Sequence, residues 1–272
     1  MALRVAAGNA DIWIWDLVHK TLTRLTFEGT SNSAPLWTPD GKRVAFLSNR
    51  QPKPGIYWKS ADGAGKDQFL GSTSAADFLT SWSESGKTLV FTEWGTQGIG
   101  IGMLSMEGDR KFKSLLNEKY IQAQPQVSPD GRWMVYTSNE SGQNQIYARP
   151  FPDVNSGRWQ ISSSGGDSAL WSPDGREIFY RNGEEVMAVS VKTAPTFSLE
   201  TPRTLFRGTY IGADFGSGRI AFAAWDISPD GKRFLMMKEA AATAKPAAAE
   251  VPRKINVVVN WFEELKQRIP IK

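Results

Sequence analysis

Five short stretches that recur along the chain decide the fold: Thr38-Pro39-Asp40-Gly41-Lys42, Ser83-Glu84-Ser85-Gly86-Lys87, Ser128-Pro129-Asp130-Gly131-Arg132, Ser172-Pro173-Asp174-Gly175-Arg176 and Ser228-Pro229-Asp230-Gly231-Lys232. Their glycines, at positions 41, 86, 131, 175 and 231, are spaced by 45, 45, 44 and 56 residues. In the usual form of the stretch, proline fixes φ, aspartate accepts hydrogen bonds from turn amides, and glycine supplies the positive φ that closes a hairpin. The sequence therefore predicts a tight turn about every 45 residues.

Strand-like sequence flanks each of these turns. A large apolar residue stands directly before each one: Trp37, Trp82, Val127, Trp171 and Ile227. A β-rich run follows each turn, at 44–46, 89–91, 134–136, 178–180 and 234–236. Third strands are predicted to begin at Ile12, Ile56, Ile101, Ile146, Val186 and Ile255, and more polar fourth strands follow, as at 21–25 and 158–161. Four short antiparallel strands in each repeat are typical of β-propeller blades.

We therefore predict an all-β protein whose residues 1–272 form a single β-propeller domain of about six four-stranded blades. The first blade is predicted to be incomplete at the N-terminus, because residues 4–7 match residues 43–46 and so begin at a second strand. An incomplete blade exposes a sheet edge, and we expect the natural protein to be longer. The Ala/Pro/Lys tract at 239–253 is predicted to be a flexible loop, and residues 261–266 a short C-terminal helix.

Composition excludes several kinds of site. The chain has no cysteine, which excludes disulfides, cysteine-ligated metals and thiol nucleophiles. Its single histidine, His19, excludes a multi-histidine metal site. The 32 basic and 28 acidic residues are too evenly balanced to predict nucleic-acid binding. No apolar run approaches the ~20 residues of a membrane helix, so we expect no membrane insertion by this chain and any export signal upstream of Met1.

Variable polar residues are predicted to meet at one mouth of the central channel. They lie in the loops that enter the innermost strands: Asn32, Asp77, Gln122, Gln124, Asp167 and Asp214. Unlike the turns, these residues differ from repeat to repeat. Such groups can bind a peptide end, a polar ligand or a hard cation such as calcium. We predict no required cofactor and keep calcium as the one candidate ion. The alternative is a set of ordinary polar loops around a water-filled channel.

Other conspicuous residues are interpreted as structural. The five basic residues that close the turns each have an acidic neighbour in the same turn, which indicates solvated turns rather than an anion site. Tryptophans in the slot before the turns (Trp37, Trp82 and Trp171) are predicted to be core, because Val127 and Ile227 fill the same slot elsewhere. Four further tryptophans are not tied to this slot and stay candidates for ligand contact: Trp13, Trp58, Trp94 and Trp159.

The turns, the apolar residue before them and the third strands together resemble the WD-repeat-like propeller repeats of the TolB family, over nearly the whole chain. Three segments, at 126–133, 146–152 and 256–261, are also similar to the C-terminal propeller of bacterial receptor-type serine/threonine kinases. The resemblance implies a sensory or protein-binding module in a periplasmic or other extracytoplasmic location. The chain itself carries no His-Arg-Asp or Asp-Phe-Gly kinase motif.

The leading hypothesis is a non-catalytic β-propeller that binds or senses a protein, a peptide or an envelope-derived ligand as part of a longer protein. No set of residues forms a recognisable catalytic constellation, so no catalytic residue is predicted. The alternative is a propeller enzyme, a metal-dependent hydrolase or lyase that uses the acidic residues at the channel mouth.

Overall fold

The computed structural model describes residues 1–72, 76–83, 85–95, 97–211 and 224–238. Within these ranges the chain forms 22 β-strands and no α-helix. The strands assemble into six antiparallel sheets that follow one another along the sequence, and we call them blades 1 to 6. The predicted all-β propeller is thus confirmed, while the loop at 239–253, the helix at 261–266 and the strand at Ile255 lie outside the described residues.

Blade 1 contains the strands β1 (Ala2–Ala7), β2 (Asn9–Asp16) and β3 (Thr21–Arg24). Blade 2 contains β4 (Asn32–Trp37), β5 (Arg43–Ser48), β6 (Gly55–Ser60) and β7 (Gln68–Gly71). Blade 3 contains β8 (Ala76–Trp82), β9 (Thr88–Gly95), β10 (Gly98–Ser105) and β11 (Phe112–Leu116).

Blade 4 contains β12 (Gln122–Val127), β13 (Trp133–Ser138), β14 (Gln145–Pro150) and β15 (Trp159–Gln160). Blade 5 contains β16 (Asp167–Trp171), β17 (Glu177–Asn182), β18 (Glu185–Lys192), β19 (Ser198–Leu199) and β20 (Arg203–Arg207). Blade 6 contains β21 (Trp225–Ile227) and β22 (Phe234–Met236). The blades therefore repeat the same antiparallel order.

The first blade begins at a second strand, as the sequence predicts. In blade 1, β1 pairs with β2 so that Arg4 lies opposite Ile12. In blade 2, the second strand β5 pairs with the third strand β6, and Leu47 lies opposite Ile56. Arg4 therefore corresponds to Leu47, and the predicted match of residues 4–7 with residues 43–46 is wrong by four positions. The described part of blade 1 thus has three strands where blades 2, 3 and 4 have four.

The repeated turns close as their sequence indicates. In the first of them, the Gly41 amide donates to the Thr38 carbonyl oxygen at 2.8 Å, and Gly41 has a φ of +66°. The Thr38 hydroxyl and the Lys42 amide both donate to Asp40 Oδ1, at 2.5 and 3.0 Å. These hydrogen bonds lower the pKa of Asp40. The turns at 128–132, 172–176 and 228–232 repeat the same bonds.

The core lies between neighbouring blades. One cluster joins Ala45 and Ile56 of blade 2 to Leu79 and Trp82 of blade 3. A second cluster joins blades 4 and 5, where Trp171 packs among the aromatic and aliphatic residues of β13 and β14. Because each blade buries its apolar faces against the blades on either side, the innermost strands are held in fixed positions around the channel. These strands carry the residues of the two channel mouths.

Candidate functional site

The predicted site residues that the structure describes lie at the mouth opposite the turns. Four of them are the first or second residue of an innermost strand: Asn32, Asp77, Gln122 and Asp167. Asp77 lies in β8, but its side chain is outside the described set, and Asp214 lies in an undescribed segment.

Two of these residues are buried carboxamides with different partners. Asn32 Nδ2 donates to the Glu28 carbonyl oxygen at 3.0 Å and to Asp11 Oδ1 at 3.2 Å. Gln122 Oε1 accepts from the Glu118 amide at 3.2 Å. Both side chains are fully buried, and each keeps one polar atom, Asn32 Oδ1 and Gln122 Nε2, without a hydrogen-bond partner. The structure does not bring these two residues together.

Gln124 and Asp167 are brought together through Ser168. Gln124 Nε2 donates to Ser168 Oγ at 3.2 Å, and the Ser168 amide donates back to Gln124 Oε1 at 2.8 Å. The Ser168 hydroxyl donates to Asp167 Oδ1 at 2.7 Å. The Thr137 hydroxyl also donates to Gln124 Oε1, and the Gln124 amide donates to Thr92 Oγ1, each at 3.0 Å. This network joins blades 3, 4 and 5.

Backbone geometry places this network. Gln124 and Ser168 have φ values of +56°, and β12 and β16 shift register at these residues. Such a bulge turns the side chain out of the regular alternation of the strand and towards the neighbouring blade. The hydrogen bonds of this network connect neighbouring blades and so have a structural role. A ligand role for the predicted residues, including calcium binding, stays a prediction.

Two charged residues at this mouth, Asp167 and Arg181, are partly or fully buried. Burial raises the pKa of Asp167, while the hydrogen bond from Ser168 and the positive charge of Arg181 oppose the shift. Arg181 is 4% exposed, and burial lowers the pKa of its guanidinium. Its Nη2 donates to the Gly183 carbonyl oxygen at 2.8 Å. The described residues contain no group of three or more acidic, histidine or cysteine side chains placed to hold a metal ion.

The opposite mouth, on the side of the repeated turns, holds a cavity of about 250 Å³. We call it the turn-side mouth. Its described lining comes from blades 2 to 6: Pro39, Trp82, Ser83, Gln126, Val127, Ser128, Pro129, Leu170, Trp171, Ser172, Pro173, Asp226 and Ile227. Most of this lining is apolar or aromatic, and the polar contribution comes from serines, one carboxamide and one carboxylate. That composition is typical of a binding site.

The repeat sequence explains why these residues meet. Every innermost strand ends in the apolar slot and then enters a turn, so the slot residues Trp82, Val127, Trp171 and Ile227 reach the same end of the channel. Trp82 and Trp171 are 8% and 6% exposed, which confirms their prediction as core residues. Trp37 is only partly buried, and it packs against the cluster that contains Val44 and Phe46. The sequence interpretation missed that Trp82 and Trp171 also line a cavity.

Turn prolines form the outer part of this mouth. A Cβ placed on Gly175 would meet the ring of Pro129 at 3.6 Å, and one on Gly231 would meet Pro173 at 3.4 Å. Each of these prolines therefore packs over the glycine of the next turn. The side chain of Gln126 lies deeper, where its Nε2 donates to the Thr80 carbonyl oxygen at 2.9 Å. The lining is thus built by contacts between successive blades.

Asp226 is the only ionisable residue among the described lining of the turn-side mouth. Its Oδ1 accepts from the Ile227 amide at 2.8 Å. The side chain is open to the cavity, yet the surrounding channel wall partly desolvates the carboxyl and raises its pKa. Within the described residues, no lysine or arginine forms an ion pair with Asp226.

Three of the five basic residues that close the turns form an ion pair with a nearby acidic residue. Arg132 Nη2 lies 2.7 Å from Asp130 Oδ2, and Lys87 Nζ lies 2.9 Å from Glu107 Oε1. Arg176 Nε lies 4.0 Å from Asp174 Oδ2. These solvent-exposed pairs agree with the interpretation of solvated turns, and they leave little net charge around the turn-side mouth.

The other tryptophans differ in exposure. Trp94 is 52% exposed, and it is the most open tryptophan among the described residues. Trp58 donates through Nε1 to Gln68 Oε1 at 2.8 Å, and the Arg43 guanidinium lies 4.4 Å from its ring centroid. Trp159 packs edge-on against Trp133 with centroids 5.1 Å apart. Ligand contact by these residues stays a prediction.

Comparisons with known proteins agree with this fold. Residues 1–118 match the family model described as the TolB beta propeller domain, PD40. The Tol-Pal system protein TolB of Bordetella pertussis is 28% identical over 117 residues, which cover 42% of this chain and 26% of that protein. The TolB of Bordetella parapertussis gives the same values. The matched region thus spans about a quarter of the length of these relatives.

Solved structures extend the likeness over more of the chain. TolB from Acinetobacter baumannii has a TM-score of 0.67 at 21% identity, covering 88% of this chain and 57% of that one. A putative TolB from Agrobacterium tumefaciens has a TM-score of 0.60 at 19% identity, covering 75% and 76%. An oligogalacturonate lyase in complex with manganese has a TM-score of 0.59 at 12% identity, covering 86% and 66%. At these identities the likeness concerns the fold alone, and it is that of a β-propeller. The described residues include no helix that could cross a membrane.

Proposed function

We propose that this chain is a non-catalytic β-propeller module that binds a protein or peptide partner at its turn-side mouth. The observation that carries the proposal is the cavity between the ends of the innermost strands, where apolar slot residues and turn prolines surround a few polar groups. Pockets for whole drug-sized molecules usually measure about 300–1,000 Å³. At about 250 Å³, this cavity suits one or two side chains of a longer segment rather than a whole cofactor.

The construction of the cavity supports binding without rearrangement. Trp171 and Gln126 are fixed by hydrogen bonds to the neighbouring blades, so part of the lining is already ordered before a partner arrives. A preformed site avoids part of the entropy cost of ordering side chains on binding. The open side of the mouth allows an extended peptide to pass over the turns and place a side chain into the cavity.

The biological setting is part of the proposal. The curated relatives are named as proteins of the Tol-Pal system, and from this name and the family resemblance we propose an extracytoplasmic location and a protein partner. Three segments resemble the propeller of receptor-type kinases, and two of them, 126–133 and 146–152, lie within described blade 4. In that setting the module would be the ligand-sensing part of a longer receptor.

The alternative function is a metal-dependent propeller enzyme acting at the opposite mouth. It is favoured by the partly buried carboxyl of Asp167. The test is the thermal unfolding of the protein with EDTA, calcium and manganese, because a ligand that binds only the folded state raises its melting temperature. A cation-dependent increase that is lost in Asp167→Ala would support the alternative. An unchanged melting temperature would contradict the alternative.

A peptide array tests the proposed function directly. Immobilised 15-residue peptides of random sequence are probed with the purified protein, and the bound sequences are measured in solution by fluorescence anisotropy. Pro173→Arg places a long charged side chain over the turn-side mouth and is expected to weaken binding at least tenfold. Val18→Arg introduces the same side chain at an 83% exposed residue of blade 1 and is the control for the added charge. The absence of bound peptides, or equal loss in both variants, would contradict the proposal.

A further inference from the structure

We propose that the turn-side mouth selects peptide segments in which a lysine or arginine stands next to an apolar residue, and that Asp226 pairs with the cationic side chain. This inference rests on the proposed function and specifies the chemistry of the partner. It assigns two roles to the cavity. The apolar lining binds the hydrophobic part of the segment, and the carboxylate determines which charge is accepted.

The charge pattern of the cavity points to a cation. Asp226 is the only ionisable side chain in the described lining, and its Oδ1 accepts one hydrogen bond, from the Ile227 amide at 2.8 Å. No described lysine or arginine compensates its charge. An exposed carboxylate beside an apolar lining, with no ion pair to a described residue, attracts the cationic group of a ligand.

The rest of the lining suits the stem of a long cationic side chain. Lysine and arginine bury their methylene chains along apolar surface while the charged head reaches a polar partner. Leu170, Ile227 and the two tryptophans supply that surface beside Asp226. A short cation without an apolar neighbour would leave most of this surface in water. We therefore expect an adjacent apolar residue to add to the affinity.

Two other ligand classes fit less well. An anionic segment would be repelled by the like charge of Asp226, and the described lining contains no cation that would offset this repulsion. A calcium ion takes six to eight oxygen ligands, and the described lining offers one carboxylate and one carboxamide along with serine hydroxyls. Outside the cavity, the turn aspartates are held by their own serine or threonine hydroxyls. Discrimination by charge is thus concentrated at Asp226.

The test compares twin peptides on the protein and its variants. Every bound array peptide with a lysine or arginine is remade with norleucine, which keeps an aliphatic chain and removes the charge. The wild-type protein is expected to bind the charged twin about tenfold more tightly. In Asp226→Asn this preference should fall below about threefold, while the affinity for the norleucine twin stays the same. Asp226→Glu, which keeps the charge, should keep a preference.

The outcomes separate this inference from the proposed function. If no peptide binds, or Pro173→Arg leaves binding unchanged, the proposed function fails and this inference fails with it. If peptides bind and respond to Pro173→Arg but show no preference for the charged twin, only the pairing with Asp226 is wrong. An equal preference in wild type and Asp226→Asn would also show that the pairing is wrong. The melting temperature of each variant shows that it has folded.

Discussion

The indole Nε1 of Trp171 donates a 3.1 Å hydrogen bond to the main-chain oxygen of Gln126, and this bond joins the innermost strand of blade 5 to that of blade 4. The side chain of Gln126 continues the link, because its Nε2 donates to the Thr80 carbonyl oxygen of blade 3. The Val127 amide adds a bond to Ser81 Oγ at 3.0 Å. The residues that line the turn-side mouth therefore also hold successive blades in position.

Trp171→Phe tests this link. Phenylalanine keeps an aromatic ring in the slot but leaves the Gln126 oxygen without the indole donor. We expect the free energy of unfolding to fall by about 1–3 kcal/mol, the cost of an unsatisfied buried polar group. Urea unfolding followed by circular dichroism measures the change. Trp94→Phe, at a 52% exposed position, should change it by less than about 0.5 kcal/mol. Equal effects of the two substitutions would show that the Trp171 bond contributes nothing.

The repeated turns contribute to the free energy of unfolding in a pH-dependent way, and the substitution Ser172→Ala tests this contribution. The Ser172 hydroxyl donates to Asp174 Oδ1 at 2.6 Å and accepts from the Glu177 amide at 2.9 Å. Removal of this hydroxyl should lower the free energy of unfolding by about 1 kcal/mol at pH 7. The hydrogen bonds from Ser172 and Arg176 lower the pKa of Asp174 below 3.8. Their contribution to folding stability is therefore fully present above pH 3.8, and it is lost as the pH falls through the lowered pKa.

Urea unfolding at pH 7 and pH 3 checks both parts of this prediction. The difference between wild type and Ser172→Ala should be smaller at pH 3, where Asp174 begins to take up its proton. Ser164→Ala, an exposed serine between β15 and β16, is the control and should have little effect at either pH. A difference that stays constant or grows at pH 3 would mean that the hydroxyl does not act through the carboxylate.

His19 offers a direct measurement of one local ion pair, because it is the only histidine in the chain. Its Nδ1 lies 2.7 Å from Asp16 Oδ2. The hydrogen bond and charge of Asp16 raise the pKa of His19 above 6.5, and His19 lowers the pKa of Asp16 to about 2. The NMR titration of the single imidazole should therefore have its midpoint above 6.5. Asp16→Asn should return it to about 6.5. Identical midpoints would show that the pair does not form in solution.

The turns and strands were predictable because their signals are local. Proline, aspartate and glycine occupy neighbouring positions, and the hydrogen bonds that close a turn stay within six residues, as between Thr38 and Arg43. The regular spacing of the turns then specified the blades. Blade 6 was harder to predict, because its turn lies 56 residues after the turn of blade 5 rather than about 45.

The channel mouths were less predictable because their contacts join distant repeats. Gln124 looked like a ligand residue in the sequence, yet its side chain binds Ser168, which lies 44 residues away. Asp226 was not predicted as a site residue, because nothing in its own repeat shows that it faces the slot residues of the other blades. Which side chain reaches the channel depends on how the blades pack, and a single repeat does not contain that information.

Arg149 supplies a further test in one of the segments that resembles a kinase-associated propeller. Its buried guanidinium donates through Nε to the Tyr136 hydroxyl oxygen at 2.9 Å, through Nη1 to the Val154 carbonyl oxygen at 3.2 Å and through Nη2 to Glu118 Oε1 at 3.0 Å. Arg149→Met should lower the free energy of unfolding by about 3–5 kcal/mol, because it leaves several polar groups unpaired.

Tyr136→Phe breaks only one of these bonds and should cost about 1–3 kcal/mol. Burial raises the pKa of Tyr136 to about 12, so the hydroxyl stays protonated and the effect should not change between pH 6 and pH 9. Thermal unfolding over this range measures both variants. A loss for Arg149→Met no larger than that for Tyr136→Phe would show that Glu118 and Val154 contribute little.

The third and fourth strands pack differently in blades 3 and 4. The two blades differ at the position that Gly100 occupies in blade 3. In blade 4 the residue before Ile146 is Gln145, whose Oε1 accepts from the Ser162 hydroxyl at 2.5 Å. In blade 3 the equivalent position is Gly100, where a Cβ would lie closer than 3.0 Å to the Leu116 carbonyl oxygen. The fourth strand thus approaches the third more closely where the third strand has no side chain.

Gly100→Ala should therefore separate β11 from β10. We expect a loss of about 1–3 kcal/mol from the clash with the backbone, together with faster hydrogen exchange of the amides of Phe112–Leu116. Gly108→Ala is the control for backbone conformation, since Gly108 has a φ of +63° and open space around it, and it should cost about 1 kcal/mol without changing exchange in β11. If Gly100→Ala cost no more than Gly108→Ala and β11 kept its protection, the close approach of the two strands would not be the reason for glycine at this position.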